Sequence, residues 1–232
     1  IIYDAVLSVD FDACPKKLHM ASGDDLTAKT VIIATGVRPA LLSIPGEEEF
    51  KGSGVSYCAT CDGNFFKGKD VCVVGGGNTA VADAIYLSRI CNKVTVIVRR
   101  DVLRATAIYN VKLKELDNVE IIWNTTVEEI VGEDFAVTGL KLKNVITGEE
   151  SDIACSALFV AIGTVPNVEF LNNAVELDRT GHVVTNSVGE TSVPGVYAAG
   201  DIRSKELYQI TTAVADGANA AEDVAQYLIQ HE

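Results

Sequence analysis

The run Val71-Cys72-Val73-Val74-Gly75-Gly76-Gly77-Asn78-Thr79-Ala80 restricts the fold of this chain more than any other segment. Residues 71–74 read as a buried strand. Apolar residues at helical spacing follow the glycines, at Val81, Ala84, Ile85 and Leu87. Gly75 to Ala80 fits G-x-G-x-x-A. In such a turn Gly75 permits the tight bend, Gly77 lets the backbone approach a pyrophosphate, and Ala80 is small enough for helix and strand to pack. The helix start then offers free N–H groups and a positive dipole end to phosphate. A plain strand–turn–helix corner also satisfies this pattern, so the next strand decides.

Residues 94–98 are β-branched throughout and read as that strand. A coenzyme without a 2′-phosphate usually meets Asp or Glu here. This chain instead has Arg99, Arg100 and Arg104, three of its 19 basic residues in one short window. Guanidinium groups suit a 2′-phosphate, being bidentate and always charged. Net charge is −13, so a positive cluster needs a local reason. The same acidity argues against nucleic acid and anionic membrane as partners. The reading is NADP(H) in preference to NAD(H).

The remaining pattern is strand–helix–strand alternation, which implies parallel pairing and an α/β class. Residues 31–34, 157–162 and 195–199 read as buried strands, 107–116 and 211–229 as helices, and 120–123 as a strand. Residues 127–131, 136–142 and 151–154 alternate as in a β-meander. Pro39 and Pro45 bracket a linker, and Pro166-Asn167 marks a second boundary. Three segments result, 1–40, 41–165 and 166–232, with the middle one interrupting the fold of the other two. The longest apolar runs are far short of the ~18 residues that cross a bilayer.

Cys58-Ala59-Thr60-Cys61-Asp62 is a C-x-x-C followed by an acid. Two thiols at this spacing can close a disulfide, and at a helix start the first is activated as a nucleophile. A carboxyl beside the second can move protons as the pair opens and closes. Zinc is the competing reading. It needs about four ligands, and no second C-x-x-C or His pair at suitable spacing accompanies the first. Cys72 falls inside a strand. Cys14, Cys91 and Cys155 have no partner motif and are expected to be buried or inert. Six cysteines are too few for a disulfide scaffold, which favours a reducing, cytoplasmic setting. A dithiol just ahead of a nicotinamide cradle suggests a flavin intermediary, because a flavin takes a hydride and passes electrons to sulfur.

Residues 55–63 (VSYCATCDG), 74–81 (VGGGNTAV), 98–105 (VRRDVLRA), 159–167 (FVAIGTVPN) and 195–201 (GVYAAGD) occur in an order and spacing that resembles low-molecular-weight thioredoxin reductase along the whole chain. The resemblance implies two Rossmann-like, three-layer domains, the NADPH domain inserted into an FAD domain that is incomplete here. It implies that Cys58 and Cys61 are the redox-active disulfide and Asp62 the proton donor. It assigns Gly75, Gly77, Asn78, Thr79 and Ala80 to the NADPH pyrophosphate, and Arg99, Arg100 and Arg104 to the 2′-phosphate. Ile162 and Gly163 join the cofactor-binding set. Thr35, Gly36, Gly200 and Asp201 go to FAD, with Tyr208, Gln209 and Ile210 near its ring. Segments near residues 40 and 166 would be hinges for rotation of the NADPH domain. Thioredoxin or a similar small dithiol protein is the implied partner, and a homodimer the implied assembly.

Three departures accompany this resemblance. The family opens with a G-x-G-x-x-G loop for FAD ahead of anything in this chain, so an amino-terminal truncation with weakened FAD binding is expected. Val98 stands where His is usual, which would soften the preference for NADPH. Tyr208-Gln209-Ile210 replaces the common Arg-Gln-Ala. Two alternatives follow: a reductase of another small redox protein such as a peroxiredoxin, or a non-catalytic NADPH-binding fragment. A flavin-free dithiol oxidoreductase is disfavoured by the glycine cradle that follows the C-x-x-C.

Overall fold

A computed structural model describes residues 1–231. In chain order the strands are β1 (Val6–Asp10), β2 (Lys16–Met20), β3 (Asp25–Ala28), β4 (Val31–Ile33), β5 (Val37–Pro39), β6 (Val55–Ser56), β7 (Asp70–Val74), β8 (Lys93–Ile97), β9 (Val119–Ile122), β10 (Thr125–Glu133), β11 (Ala136–Asn144), β12 (Glu150–Ala154), β13 (Ala157–Val160), β14 (Thr164–Pro166) and β15 (Val196–Ala198). The α-helices are α1 (Ala59–Asp62), α2 (Asn78–Leu87), α3 (Ala107–Lys114) and α4 (Ile210–Gln230). They form two compact units, one from Ile1–Arg38 with Thr164–Glu232, the other from Pro39–Gly163.

The Pro39–Gly163 unit is built on a five-stranded sheet in the order β6-β13-β7-β8-β9. Every pairing in it is parallel. The strands are almost wholly apolar because both faces are covered. Alternation sorts their side chains. Val71, Val73, Val94, Val96, Ala157 and Phe159 pack with Ala80, Val81, Ala84 and Leu87 of α2 and Leu113 of α3. Cys72, Val74, Ile97, Leu158 and Val160 face Val127, Ile130, Val137, Leu140 and Leu142 of the antiparallel meander β10-β11-β12. Helices, parallel sheet and meander make the three layers. The chain runs outward from β7 through β8 to β9, then returns to place β13 on the other side of β7. That reversal is the switch point beside which open α/β sheets bind ligands, outside the carboxyl ends of their strands.

The other unit carries a meander, β1-β2-β3, and a parallel pair, β15-β4. Phe11, Ile33, Leu171, Val175, Val183, Val196, Ala198 and Ile202 form its core. Helix α4 buries one polar and one apolar residue against this unit. Asp216 and Ala220 are buried, and the Asp223 carboxylate accepts the Tyr197 hydroxyl proton at 2.9 Å.

The segment expected as linker from residue 37 onward begins with strand β5, which pairs with β14. Pro39 and Pro166 each end a strand, a position proline tolerates because no further ladder bond is required of it. Cys14 is exposed where burial was one expectation, because it lies in the surface connection between β1 and β2. Cys72, Cys91 and Cys155 are buried.

Candidate functional site

A cleft of about 610 Å³ opens at the carboxyl ends of the parallel strands in the Pro39–Gly163 unit. Gly75, Gly76, Gly77 and Thr79 contribute from the turn after β7. Val98, Arg99, Arg100 and Arg104 contribute from the segment after β8, and Ile162 and Gly163 from the one after β13. Gly75 has φ +142°, and a Cβ there would collide with the carbonyl oxygen of Ala161. Its lack of a side chain is therefore a steric requirement. Gly77 is different: a Cβ there would meet nothing within 4 Å. Its value is the open space it leaves for a ligand against the backbone. It also caps α2 without any side-chain hydrogen bond, so the first N–H groups of a ten-residue helix stay available.

The three arginines are exposed. Among the described residues, the arginines paired with carboxylates are Arg38 and Arg203. Arg99, Arg100 and Arg104 thus bring unneutralised guanidinium groups to a cleft with a helix start at its rim. Val98 is 3% exposed and packs beneath Gly76. A dinucleotide carrying an extra phosphate fits this donor set. Two residues expected at the pyrophosphate have side chains engaged with the protein. Ala80 is fully buried under the turn, and Asn78 Oδ1 accepts the Thr106 N–H at 2.9 Å.

Cys58 and Cys61 form a disulfide at the single helical turn α1. Cys58 is half-buried and Cys61 exposed. The Cys61 N–H donates to Cys58 Sγ at 3.3 Å. Ser56, buried at the end of β6, accepts the Cys58 N–H at 3.1 Å and donates its hydroxyl proton to Asp62 Oδ2 at 2.6 Å. One serine therefore ties both ends of the dithiol motif. Glu47, 4% exposed, supports the residue before it: its Oε1 accepts the Tyr57 hydroxyl at 2.9 Å and the Leu42 N–H at 3.0 Å. Burial, then the Glu47 carboxylate, push the Tyr57 phenol well above its ordinary range, so it remains a donor. Leu42 lines the cleft, so Glu47 joins the cleft wall to the dithiol segment.

In the other unit, Thr35-Gly36 follows β4 and Gly200-Asp201 follows β15, the strand paired parallel to it. The two turns leave the sheet at the same end, where α/β folds hold cofactors. Gly36 (φ +64°) and Gly200 (φ +80°) adopt left-handed backbone. Thr35 is fixed by Asn167, whose side chain donates to the Thr35 carbonyl at 2.8 Å. Gly200 is fixed by Asp216 Oδ2, which accepts its N–H at 3.1 Å. Burial works against the Asp216 charge, but Lys205 at 2.8 Å and Arg203 at 2.8 Å lower its pKa overall. Gln209 is the N-cap of α4, its side chain in a capping box with Thr212. Tyr208 lies 5.5 Å from the His182 ring, and Ile210 is exposed.

Ser56, Glu47 and Asp216 escaped the sequence reading. Ser56 alone carried a signal, as a hydroxyl two places before Cys58.

Among the described residues, no group of three or more His, Cys, Asp or Glu side chains is arranged to hold a metal ion. No helix among them is long and apolar enough to cross a membrane.

Cleft, arginines and disulfide define a class of redox protein. The family model described as pyridine nucleotide-disulphide oxidoreductase matches residues 1–217, and the chain belongs to that family. Thioredoxin reductase from Rickettsia felis is 43% identical over 231 residues, covering 98% of this chain and 74% of that protein. The crystal structure of thioredoxin reductase from Lactococcus lactis superposes with a TM-score of 0.80 at 39% identity, covering 99% of this chain and 75% of that one. An alkyl hydroperoxide reductase component of Pseudomonas putida is 43% identical over 214 residues, covering 92% of this chain and 41% of that protein.

Proposed function

We propose that the chain is an NADPH-dependent, FAD-containing thioredoxin-disulfide reductase. One observation carries the reading: a redox-closed Cys58–Cys61 pair lies in the same compact unit as a glycine-rich cleft holding three unpaired arginines. Gly75, Gly77, Thr79 and the start of α2 would hold the pyrophosphate, with Arg99, Arg100 and Arg104 on the 2′-phosphate. Thr35, Gly36, Gly200 and Asp201 would hold FAD, and Tyr208 to Ile210 would border it. FAD, when bound, supplies a centre that accepts a hydride and delivers its two electrons to a disulfide.

The chain's own residues do the sulfur chemistry. Reduction breaks the Cys58–Cys61 bond and leaves a dithiol whose Cys61 sulfur faces solvent. A thiolate of the pair attacks the partner's disulfide, and the second thiolate releases the partner as a dithiol. Asp62, aligned by Ser56, takes and returns the proton of the opening pair. The chain passes between its two units at Arg38/Pro39 and Gly163/Thr164, which suits these segments as hinges. Exposed Ile210 and Val214 on α4 support a homodimer, and four free thiols support a cytoplasmic setting.

The test is a spectrum of the purified protein, followed by NADPH oxidation coupled to thioredoxin. A flavin band that bleaches with NADPH, together with coupled turnover lost in Cys61→Ser, is the expected result. Full coupled turnover in that variant refutes the reading. The similarity to an alkyl hydroperoxide reductase component favours one second reading, in which the partner is another small redox protein such as a peroxiredoxin. Substituting that partner in the same assay separates the two.

A further inference from the structure

Arg99, Arg100 and Arg104 lie on the irregular segment between β8 and α3. Beyond the bonds of Val98 to Ile122 and Thr125 and of the Ala105 carbonyl to Asn110, three contacts fasten it. The Asn124 N–H donates to the Arg100 carbonyl at 3.2 Å, and the Arg104 N–H to the Gly76 carbonyl at 2.7 Å. The third is the Thr106 N–H to Asn78 Oδ1 at 2.9 Å, from the first residue of α2 to the residue capping α3. A backbone N–H bonds only the oxygen of an amide, so this contact fixes the Asn78 side chain and occupies its acceptor. Gly75, Gly77 and Thr79 line the cleft on either side of it in sequence, and Asn78 does not.

We propose that Asn78 is a positioning residue for coenzyme choice, holding the arginine-bearing segment in place for the 2′-phosphate instead of binding the pyrophosphate. Pyrophosphate is common to NADPH and NADH, whereas the 2′-phosphate belongs to NADPH alone. A residue that acts through the arginines therefore affects one coenzyme, and a residue on the pyrophosphate affects both. The inference rests on the arginine assignment made under Proposed function.

The test is equilibrium titration of the full chain with NADPH and with NADH, followed by reduced-nicotinamide fluorescence, which needs no turnover. In Asn78→Ala the dissociation constant for NADPH rises about three- to tenfold, the effect of one hydrogen bond, while that for NADH stays within about twofold. Thr106→Pro removes the donor from the other side. Thr106 has φ −62°, which proline adopts without strain, so this variant supplies the answer if Asn78→Ala does not fold. It shows the same selective loss. Equal losses of NADPH and NADH in Asn78→Ala or in Thr106→Pro overturn the inference and leave the arginine assignment standing. A wild-type chain that binds both coenzymes equally overturns the arginine assignment, and the inference with it.

Discussion

The Ser56 hydroxyl donates to the Asp62 carboxylate at 2.6 Å across the C-x-x-C motif, and the same oxygen receives the Cys58 N–H at 3.1 Å. Two bonds at a buried atom hold the Asp62 carboxylate beside the Cys58–Cys61 pair. Ser56→Ala strands the Cys58 N–H and frees the Asp62 side chain. The variant is expected to lose about 1–3 kcal/mol of stability, the cost of an unsatisfied buried group. It should also reduce thioredoxin more slowly while binding NADPH normally. A urea titration and a coupled assay check this, and unchanged values in both would contradict the arrangement.

Replacing Arg99 and Arg100 together by Ala should weaken NADPH by about 1.5–3 kcal/mol for each charged hydrogen bond lost and leave NADH nearly unaffected. Calorimetric titration with each coenzyme measures the difference. Parallel losses would remove these guanidinium groups from the 2′-phosphate.

Asp83, half-buried on α2, has its carboxyl pushed up to about 6 by burial. The folded chain therefore binds this proton more tightly than the unfolded chain, whose carboxyl titrates near ~4. The sign follows from linkage. Stability from this group is greatest below the unfolded value and declines as pH rises toward the folded one. Asp83→Asn should match the parent at acid pH and exceed it at neutral pH by about 1 kcal/mol, after allowance for solvent screening. Melting temperatures at both pH values decide it, and a less stable variant at neutral pH would reverse the argument.

Asp216 has the opposite sign. Lys205 and Arg203 lower its pKa against the effect of burial, so its contribution is present above the ordinary carboxylate range and fades as pH falls below it. Asp216→Ala leaves the Arg203 guanidinium largely buried without a countercharge and should cost about 3–5 kcal/mol. Denaturant midpoints at neutral pH would show this, and a loss below about 1 kcal/mol would mean the cluster is readily solvated.

The parallel sheet was legible because its strands are continuous apolar runs closed by glycine, and such a run has few other uses in an α/β chain. The turn after β7 was legible for the same reason, since three consecutive glycines between a strand and a helix mark a backbone that something must approach. Strand β3 was not, because Asp25–Ala28 lies at the edge of a small meander and is mostly exposed, which leaves no hydrophobic alternation to read. Strands β5 and β14 were hidden by their prolines, whose local signal is a break. The bond from Asn78 to Thr106 spans 28 residues, so no local pattern around Asn78 could disclose it. Ser56 and Glu47 stayed unseen because a buried polar residue announces itself only through its partners, and these are set by the tertiary fold.

The Ala40 N–H donates to the Gly163 carbonyl at 3.0 Å, so the Pro39–Gly163 segment enters and leaves its own unit at one point. A stretch of polypeptide with adjoining ends behaves as a cassette. It can be cut out and rejoined with a short loop, or moved into another host, without stretching its sheet. Because the glycine-rich cleft with its three arginines and the Cys58–Cys61 disulfide both lie inside it, such a transplant would carry them together.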